Sequence, residues 1–390
     1  MSDRSAGDET TVADGGPVVE PTVADHYRAV RGRDSFVLVG TAVALLVFPF
    51  VLVDVLGVVA SITGASVGGY EGLPSLVLIY GIVVVGFNLL LGYLGLLSFG
   101  HAAFFGTAAY AAGLVSAQFG SPVVMVVVGA LIAVLIAVPI GFVSIQRSGV
   151  YFAVLTLTFG QMLYFWAIGP GAWLTNGDNG FSEVTLNGVF GLGVVPLGTH
   201  VPFLGTVTYV LIAAVTLLAV ATASRIVNSP YGLIFEALGE NQQRVAFVGL
   251  DVDRYKLTAF VISAVFAGVG GALFTVHEGF IHPNSSLYWI ISGDFVIMTV
   301  LGGTGSLVGP MLGALLFEYI SNVVSGISLP LIGSIGSLWR LVLGAVFVLV
   351  VWVFPRGIAG AVKDLGSVVL RAVDESAEDE EPAAADGGER

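Results

Sequence analysis

No cysteine occurs among the 390 residues, and only 11% of them are charged. The first absence removes disulfides, thiol nucleophiles and cysteine-based metal sites. The second removes most soluble folds, which carry about 25% charged residues. Lysine is nearly missing, with Lys256 and Lys363 standing against twelve arginines. The motifs of hydrolytic and nucleotide chemistry are missing too. There is no HExxH and no GxSxG, the five histidines are scattered singly, and the Gly-rich run LGGTGSLVGP at 301–310 lacks the Lys-Ser/Thr that holds a phosphate. No catalytic residue, metal site or resident cofactor is expected. A net charge of −13 gives no basis for a nucleic-acid partner.

What is present is apolar: 56% hydrophobic residues and a mean hydropathy of +0.95 identify an integral membrane protein. The charge sits at the ends. Six acids fall in Met1–Asp25 and eight in Arg371–Arg390, so 1–35 and 361–390 read as acidic, disordered tails around a transmembrane domain at 36–360. The first 35 residues have no basic stretch leading into a short apolar core, which argues for a retained first span over a cleaved signal peptide.

Apolar segments fall near 36–60, 74–97, 103–117, 121–145, 150–168, 203–223, 257–276, 287–302, 307–326 and 335–354. A span needs about 20 residues, so 103–117 and 287–302 are short and are expected to be partial or re-entrant. The expected fold is an all-α polytopic membrane protein of about ten segments. Basic residues cluster before the first segment, at Arg147, in 224–256 and after the last segment, whereas loops 61–73, 169–202 and 277–286 hold no Lys or Arg. With the basic loops in the cytoplasm all ten segments alternate, and both termini of this multi-pass cell-membrane protein are expected to be cytoplasmic. The outer loop 169–202 is rich in Gly, Asn and Asp, but Asp178 and Glu183 are too few carboxylates for a Ca²⁺ loop.

One apolar stretch, NLLLGYLGLLSFGHAAFFG at 88–106, carries four glycines and two polar groups that lipid crossing does not require. Its LGxxGxL pattern at 91–97 recurs at 301–307, with Tyr110 and Tyr319 following at nearly equal spacing. Glycine-interrupted apolar segments at corresponding places in two halves point to a translocation pathway. The candidate pathway residues are Asn88, Gly92, Gly95, Gly100, His101, Gly302 and Gly305. Glycine costs a helix ~1 kcal/mol relative to alanine, so 88–106 is expected to bend, with Asn88 and His101 satisfying the freed backbone groups. Gln161, Asp294, Glu318, Asn322 and Arg340 are further polar residues in or beside apolar segments. Burying Asp or Arg at a helix centre costs ~2.5–3.5 kcal/mol, which disfavours lipid exposure; Glu318 and Arg340 are expected to pair between neighbouring helices, with pathway lining as the alternative.

The cytoplasmic loop 228–256 opens with Ser229-Pro230, an N-cap followed by proline at the first helical position. Leu233, Ala237 and Leu238 are read as one apolar face, and the polar face carries Glu and Gln instead of the Lys and Arg a lipid-surface helix prefers. A protein partner is expected to cover it. Here EALGENQQRVAFVGLDV resembles the EAA loop of ABC-importer permeases. Together with NLLLGYLGLLSFGHAAFFG, SGVYFAVLTLTFGQML, GDNGF, YKLTAFVISAVFAGVGGAL, VLGGTGSLVGPMLGALLF and FPRGIAG, it is similar to the LivM-type permeases of branched-chain amino acid importers, from about 36 to 360. The position two after Glu236 is Leu238, where the EAA name has Ala.

The resemblance implies a permease that pairs with a LivH-like second permease, two cytoplasmic ATPase subunits that use the ATP, and an extracytoplasmic substrate-binding protein. Glu236, Ala237, Gly239 and Gly249 would then belong to the coupling element, with Leu233 and Leu238 as apolar contacts to the ATPase. A urea or short-amide importer permease has similar motifs. A self-sufficient secondary transporter or channel is the alternative of a different class, and it would not need the 228–250 helix.

Overall fold

The computed structural model describes residues 40–41, 72–191, 196–201, 205–326, 328–329, 333–334, 338–354 and 357–360. Both acidic tails, and all of the first apolar segment except Gly40 and Thr41, lie outside these residues.

The described chain is a helical membrane bundle. α1 spans Leu73–Asn88 and runs on as a π-helical turn, Leu89–Tyr93; α2 is His101–Phe119, α3 Pro122–Ser144 and α4 Val150–Ile168. α5 (Val207–Val227) leads to two short helices, α6 (Pro230–Glu240) and α7 (Gln242–Phe247). α8 (Val252–Glu278), α9 (Trp289–Gly302), α10 (Gly309–Gly326) and α11 (Trp339–Val353) complete it. Two antiparallel pairs of two-residue strands sit in connecting loops, at His200–Val201 with Gly205–Thr206 and at Ser328–Leu329 with Gly333–Ser334. Among the described residues, eight helices are long and apolar enough to cross a membrane. The 18-residue α10 is not one of them, because Glu318, Tyr319 and Asn322 dilute its apolar sequence.

Short polar signals set the helix limits. Gly120 and Gly279 end α2 and α8 in the left-handed conformation, with φ of 57° and 66°. Pro122 starts α3 at its first turn, where its missing N–H costs nothing. The segment expected to be short at 103–117 is the 19-residue α2, about 28 Å long at 1.5 Å per residue. Its polar ends resemble loop in sequence, but His101 and Ser116 are buried against protein rather than lipid. α9 has 14 residues, but the helical turn Pro283–Ser286 precedes it and together Pro283–Gly302 makes 20 residues, long enough to cross, so this segment is not the short one expected.

α8 is the centre of the bundle and packs along α1, α2 and α3. Small residues make this possible, since lipid gives helices no hydrophobic reason to associate and close contact must hold them. Gly268 meets Ala133 and the Gly129 carbonyl, Gly270 meets Val83, and Gly271 lies on the Phe105 carbonyl. Around this contact Phe104, Phe105, Phe152 and Phe260 are fully buried. The outer faces of α3, α4 and α11 expose Leu131, Leu135, Tyr151, Phe165, Leu349 and Trp352, as surfaces meeting lipid or another membrane subunit do.

The connecting loops gather at two ends. At one, Gly95 approaches Gly239, Gly92 approaches Gly305, and Gly95, Leu96, Leu97 and Phe99 share a groove with Gly149 and Val150. At the other, Asn187 N donates to Gly120 O (2.8 Å), Phe181 pairs with Ile281, and Gly72 lies against the His277 imidazole. The first end carries Arg147, Arg244, Arg254 and Lys256, and the helices alternate between the ends in the order the basic residues require.

Candidate functional site at the basic end of the bundle

α1 cannot continue past Tyr93. Leu89–Tyr93 loosens into a π-turn and residues 94–100 form no helix before His101 resumes it. Such a break is tolerated at membrane depth only where protein or water covers the backbone. Protein covers it here. Gly95 N donates to Leu91 O (3.2 Å) and Leu96 N to Leu90 O (3.0 Å). Phe99 N donates to Thr156 Oγ1 (3.2 Å), Gly100 N to Ser98 Oγ (3.3 Å) and Ala102 N to Ser292 Oγ (2.8 Å). Gly100 lies so close to the Thr156 carbonyl that an added methyl would press on backbone.

The two glycine patterns meet in space. Asn88, fully buried, donates from Nδ2 to Ser306 O (3.0 Å), and its Oδ1 accepts from Gly305 N (3.3 Å). One amide side chain thus ties the end of α1 to the loop after α9, 217 residues away. A methyl on Gly92 would collide with Asn88 Oδ1 and Gly305 N, and one on Gly302 with the Gly309 carbonyl. Gly305 has φ +83°, left-handed backbone that side chains rarely adopt.

Asn88 therefore does satisfy backbone groups, but they belong to the second loop, not to its own. His101 does something else than expected. Its Nδ1 lies 3.0 Å from Ser98 Oγ and its Nε2 2.8 Å from Ser263 Oγ, so it ties the break to α8 by side chains alone. Phe87, Phe104 and Phe260 pack around the imidazole, with ring centroids 4.7, 5.5 and 6.0 Å away. The backbone work falls to Ser98, Thr156 and Ser292, which sequence reading missed. Their only signal is hydroxyl residues inside or beside apolar segments, and many of those merely bond their own helix, as Thr299 does to Phe295 O.

The third part of the site is the α6–α7 loop. Ser229 Oγ accepts from Tyr231 N (3.2 Å) and Pro230 holds the first turn, as the sequence indicates. Asn241 Oδ1 accepts from Gln243 N and Arg244 N and starts α7, and Gly249 ends the loop at φ +89°. The inner face of α6 buries Phe235 and Leu238, each 1% exposed, in the bundle core. The outer face presents Leu233, 69% exposed, with Glu236 and Ala237. Leu238 is therefore not an outward apolar contact. Five residues along an α-helix are about 140° apart, so Leu233 and Leu238 cannot share a face, whereas Leu233 and Ala237 do. Those two, with Val245 and Val248, line an apolar groove of about 300 Å³, and Phe247 and Val248 stand exposed beside it. α6 is seated directly on the helix break: a side chain at Gly239 would strike the Tyr93 carbonyl. Among the described residues no group of His, Asp and Glu is placed to hold a metal ion.

The Glu318–Arg340 pair does not form. Neither has an ion pair among the described residues, and the Arg340 guanidinium instead lies 5.1 Å from the centroid of the Trp339 ring. Both line a cavity at the opposite end, where space separates α10 from α11.

Comparison with known proteins agrees with this architecture. Residues 69–351 match the family described as "Branched-chain amino acid transport system / permease component". The chain is 30% identical over 312 residues to the high-affinity branched-chain amino acid transport system permease protein LivM of Escherichia coli (strain K12), covering 74% of this chain and 70% of that protein. It is 28% identical over 307 residues to LivM of Salmonella typhimurium, with the same coverage. The autoinducer 2 import system permease protein LsrC of Enterobacter sp. (strain 638) is 37% identical over 144 residues, 36% of this chain and 38% of its own length. No solved structure matches. A bundle of membrane-crossing helices and these likenesses agree: the chain is a membrane permease and belongs to the family of permease components of branched-chain amino acid transport systems.

Proposed function

We propose that this chain forms the translocation pathway of an ATP-driven importer for branched-chain or similar small neutral amino acids. In this reading it pairs with a LivH-like permease, receives substrate from an extracytoplasmic binding protein and is driven by two cytoplasmic ATPase subunits. The permease itself changes no covalent bond. Its task is to convert a push on one cytoplasmic helix into a change of access across the membrane.

The observation that carries the reading is α6, a short helix with an exposed apolar face whose back rests on the break in α1. Leu233 and Ala237 take the role of contacts to an ATPase groove, with Phe247 and Val248 extending the surface. Gly239 on Tyr93, and Asn88 on the 305–306 backbone, continue the path to both glycine loops without an intervening gap. Rigid packing of this kind passes displacement on, because close-packed interiors have little free volume to absorb it. Gly92, Gly95, Gly100, His101, Gly302 and Gly305 then work as the joint at the cytoplasmic end of the pathway.

The branched-chain reading is favoured over other cargo because the LivM likeness covers most of the chain and the LsrC likeness about a third. The test is Leu233→Asp in the assembled importer. Co-purification of the ATPases and leucine uptake should both fall, with membrane insertion and thermal stability retained. Unchanged coupling would remove the assignment. Leucine uptake by vesicles holding this chain without ATPases would support a self-sufficient transporter instead.

A further inference from the structure

At the end opposite α6, a cavity of about 500 Å³ opens between α1, α9, α10 and α11. That volume lies in the range of small-molecule sites, ~300–1,000 Å³. Its wall is mostly apolar, with Ile291, Phe295, Met298, Phe317 and Trp339. Three charges are set into this wall, each from a different helix: Asp294 on α9, Glu318 on α10 and Arg340 on α11.

None of the three is hydrogen-bonded or ion-paired to another described residue. Burial is the largest influence on both carboxyl groups; beyond it, Arg340 acts on Asp294 as an opposite charge, and Asp294 and Glu278 act on Glu318 as like charges. Ionisable groups in membrane helices are costly and ordinarily find partners. Charges of both signs left open to one cavity need a partner that also carries both signs. An ammonium between Asp294 and Glu318 would relieve their repulsion, and a carboxylate would take the planar donor fork of Arg340. An aliphatic side chain would fill the remaining apolar wall.

Building on the import function proposed above, we propose that this cavity is an extracytoplasmic receiving site for a zwitterionic amino acid. Glu318 and Asp294 hold the amino group, Arg340 the carboxylate, and Phe317 and Met298 the side chain. The site is the first stop in the permease after release from the binding protein. Its wall includes α1, the helix that ends in the glycine break, and α9, which leads to the second glycine loop. A ligand that draws α9, α10 and α11 together would thus load the two helices that α6 moves from the other side.

The experiment uses the assembled importer in detergent, with Trp339 in the cavity wall as reporter. Added L-leucine should change tryptophan emission, and Trp339→Phe should abolish the change. The amine lacking the carboxylate, 3-methylbutylamine, and the acid lacking the amino group, 4-methylpentanoate, should each bind about tenfold more weakly. Arg340→Gln should erase the preference for leucine over the amine, and Glu318→Gln the preference over the acid. Wild-type discrimination in both variants, parallel weakening of all three ligands, or no leucine-dependent signal would each overturn the proposal. Leucine uptake by the wild-type importer in liposomes separates the two readings. If uptake is normal and the signal fails, only the receiving site falls; if leucine is not carried, the import reading falls and takes this site with it.

Discussion

The two ends of the bundle solve opposite problems. At the basic end the backbone N–H groups of Gly95, Leu96, Phe99, Gly100 and Ala102 have partners, and glycines bring backbone against backbone at Gly92, Gly239 and Gly302. At the other end the space between helices is left open, and Asp294, Glu318 and Arg340 face it with no hydrogen bond or ion pair among the described residues. A close-packed, satisfied junction moves as a unit; an open, charged cavity changes shape by taking up something else. The contrast teaches that polar residues in this membrane protein divide by whether they are paired. Asn88 and His101 are buried and paired and hold the structure together. The three outer charges are what the structure leaves available.

The comparison can be broken or sharpened by substitution. Gly239→Val should have the largest effect, reducing leucine uptake by the assembled importer to background, because the new side chain meets the Tyr93 backbone and nothing flexible can yield. Normal uptake would show that α6 does not bear on the break. Leu238→Ala should lower the chain's own thermal stability by ~2–5 kcal/mol, the range for a buried leucine, whereas Leu233→Asp should leave it unchanged and act only on ATPase binding. Thermal unfolding in detergent distinguishes the two, and equal stability losses would contradict the assignment of faces on α6. Asn88→Leu leaves Gly305 N and Ser306 O without their partner, at ~1–3 kcal/mol for each buried group left unsatisfied. The same measurement should show the fall, and a wild-type midpoint would mean that the two glycine loops are not tied through Asn88. Smaller again is Ser229→Ala, which removes the cap of α6 and should cost ~1 kcal/mol. Smallest is Arg340→Gln, an exposed residue with no hydrogen bond to lose, for which a change within about ±0.5 kcal/mol is expected. A large loss of stability there would make Arg340 structural and erase the contrast between the ends.

Much of this was legible in the residues. Apolar runs, the Ser229-Pro230 helix start and the alternation of basic loops all rest on local chemistry, and α1–α5 and α8–α11 follow segments read from hydropathy. The repeated LGxxGxL pattern drew attention to two loops, but nothing in one dimension says that they touch. The errors have a common cause. Leu238 and Leu233 are equally apolar, and only the position of α5 and α8 beside α6 decides which of them is covered. Glu318 and Arg340 have the charges of a pair, yet partnership depends on distance, and the cavity lies between them. The hydroxyls that satisfy the helix break come from Thr156 on α4 and Ser292 on α9, far along the chain.

The sequence by itself determined a helical membrane protein, the order of its described spans and its family likeness, because hydropathy, capping and charge asymmetry act on neighbouring residues. Tertiary structure decided that the two glycine loops join through Asn88, that α6 turns Leu233 outward while burying Leu238, and that three charges remain around one cavity. Those outcomes depend on which helices lie side by side, and packing between residues as much as 218 positions apart sets that.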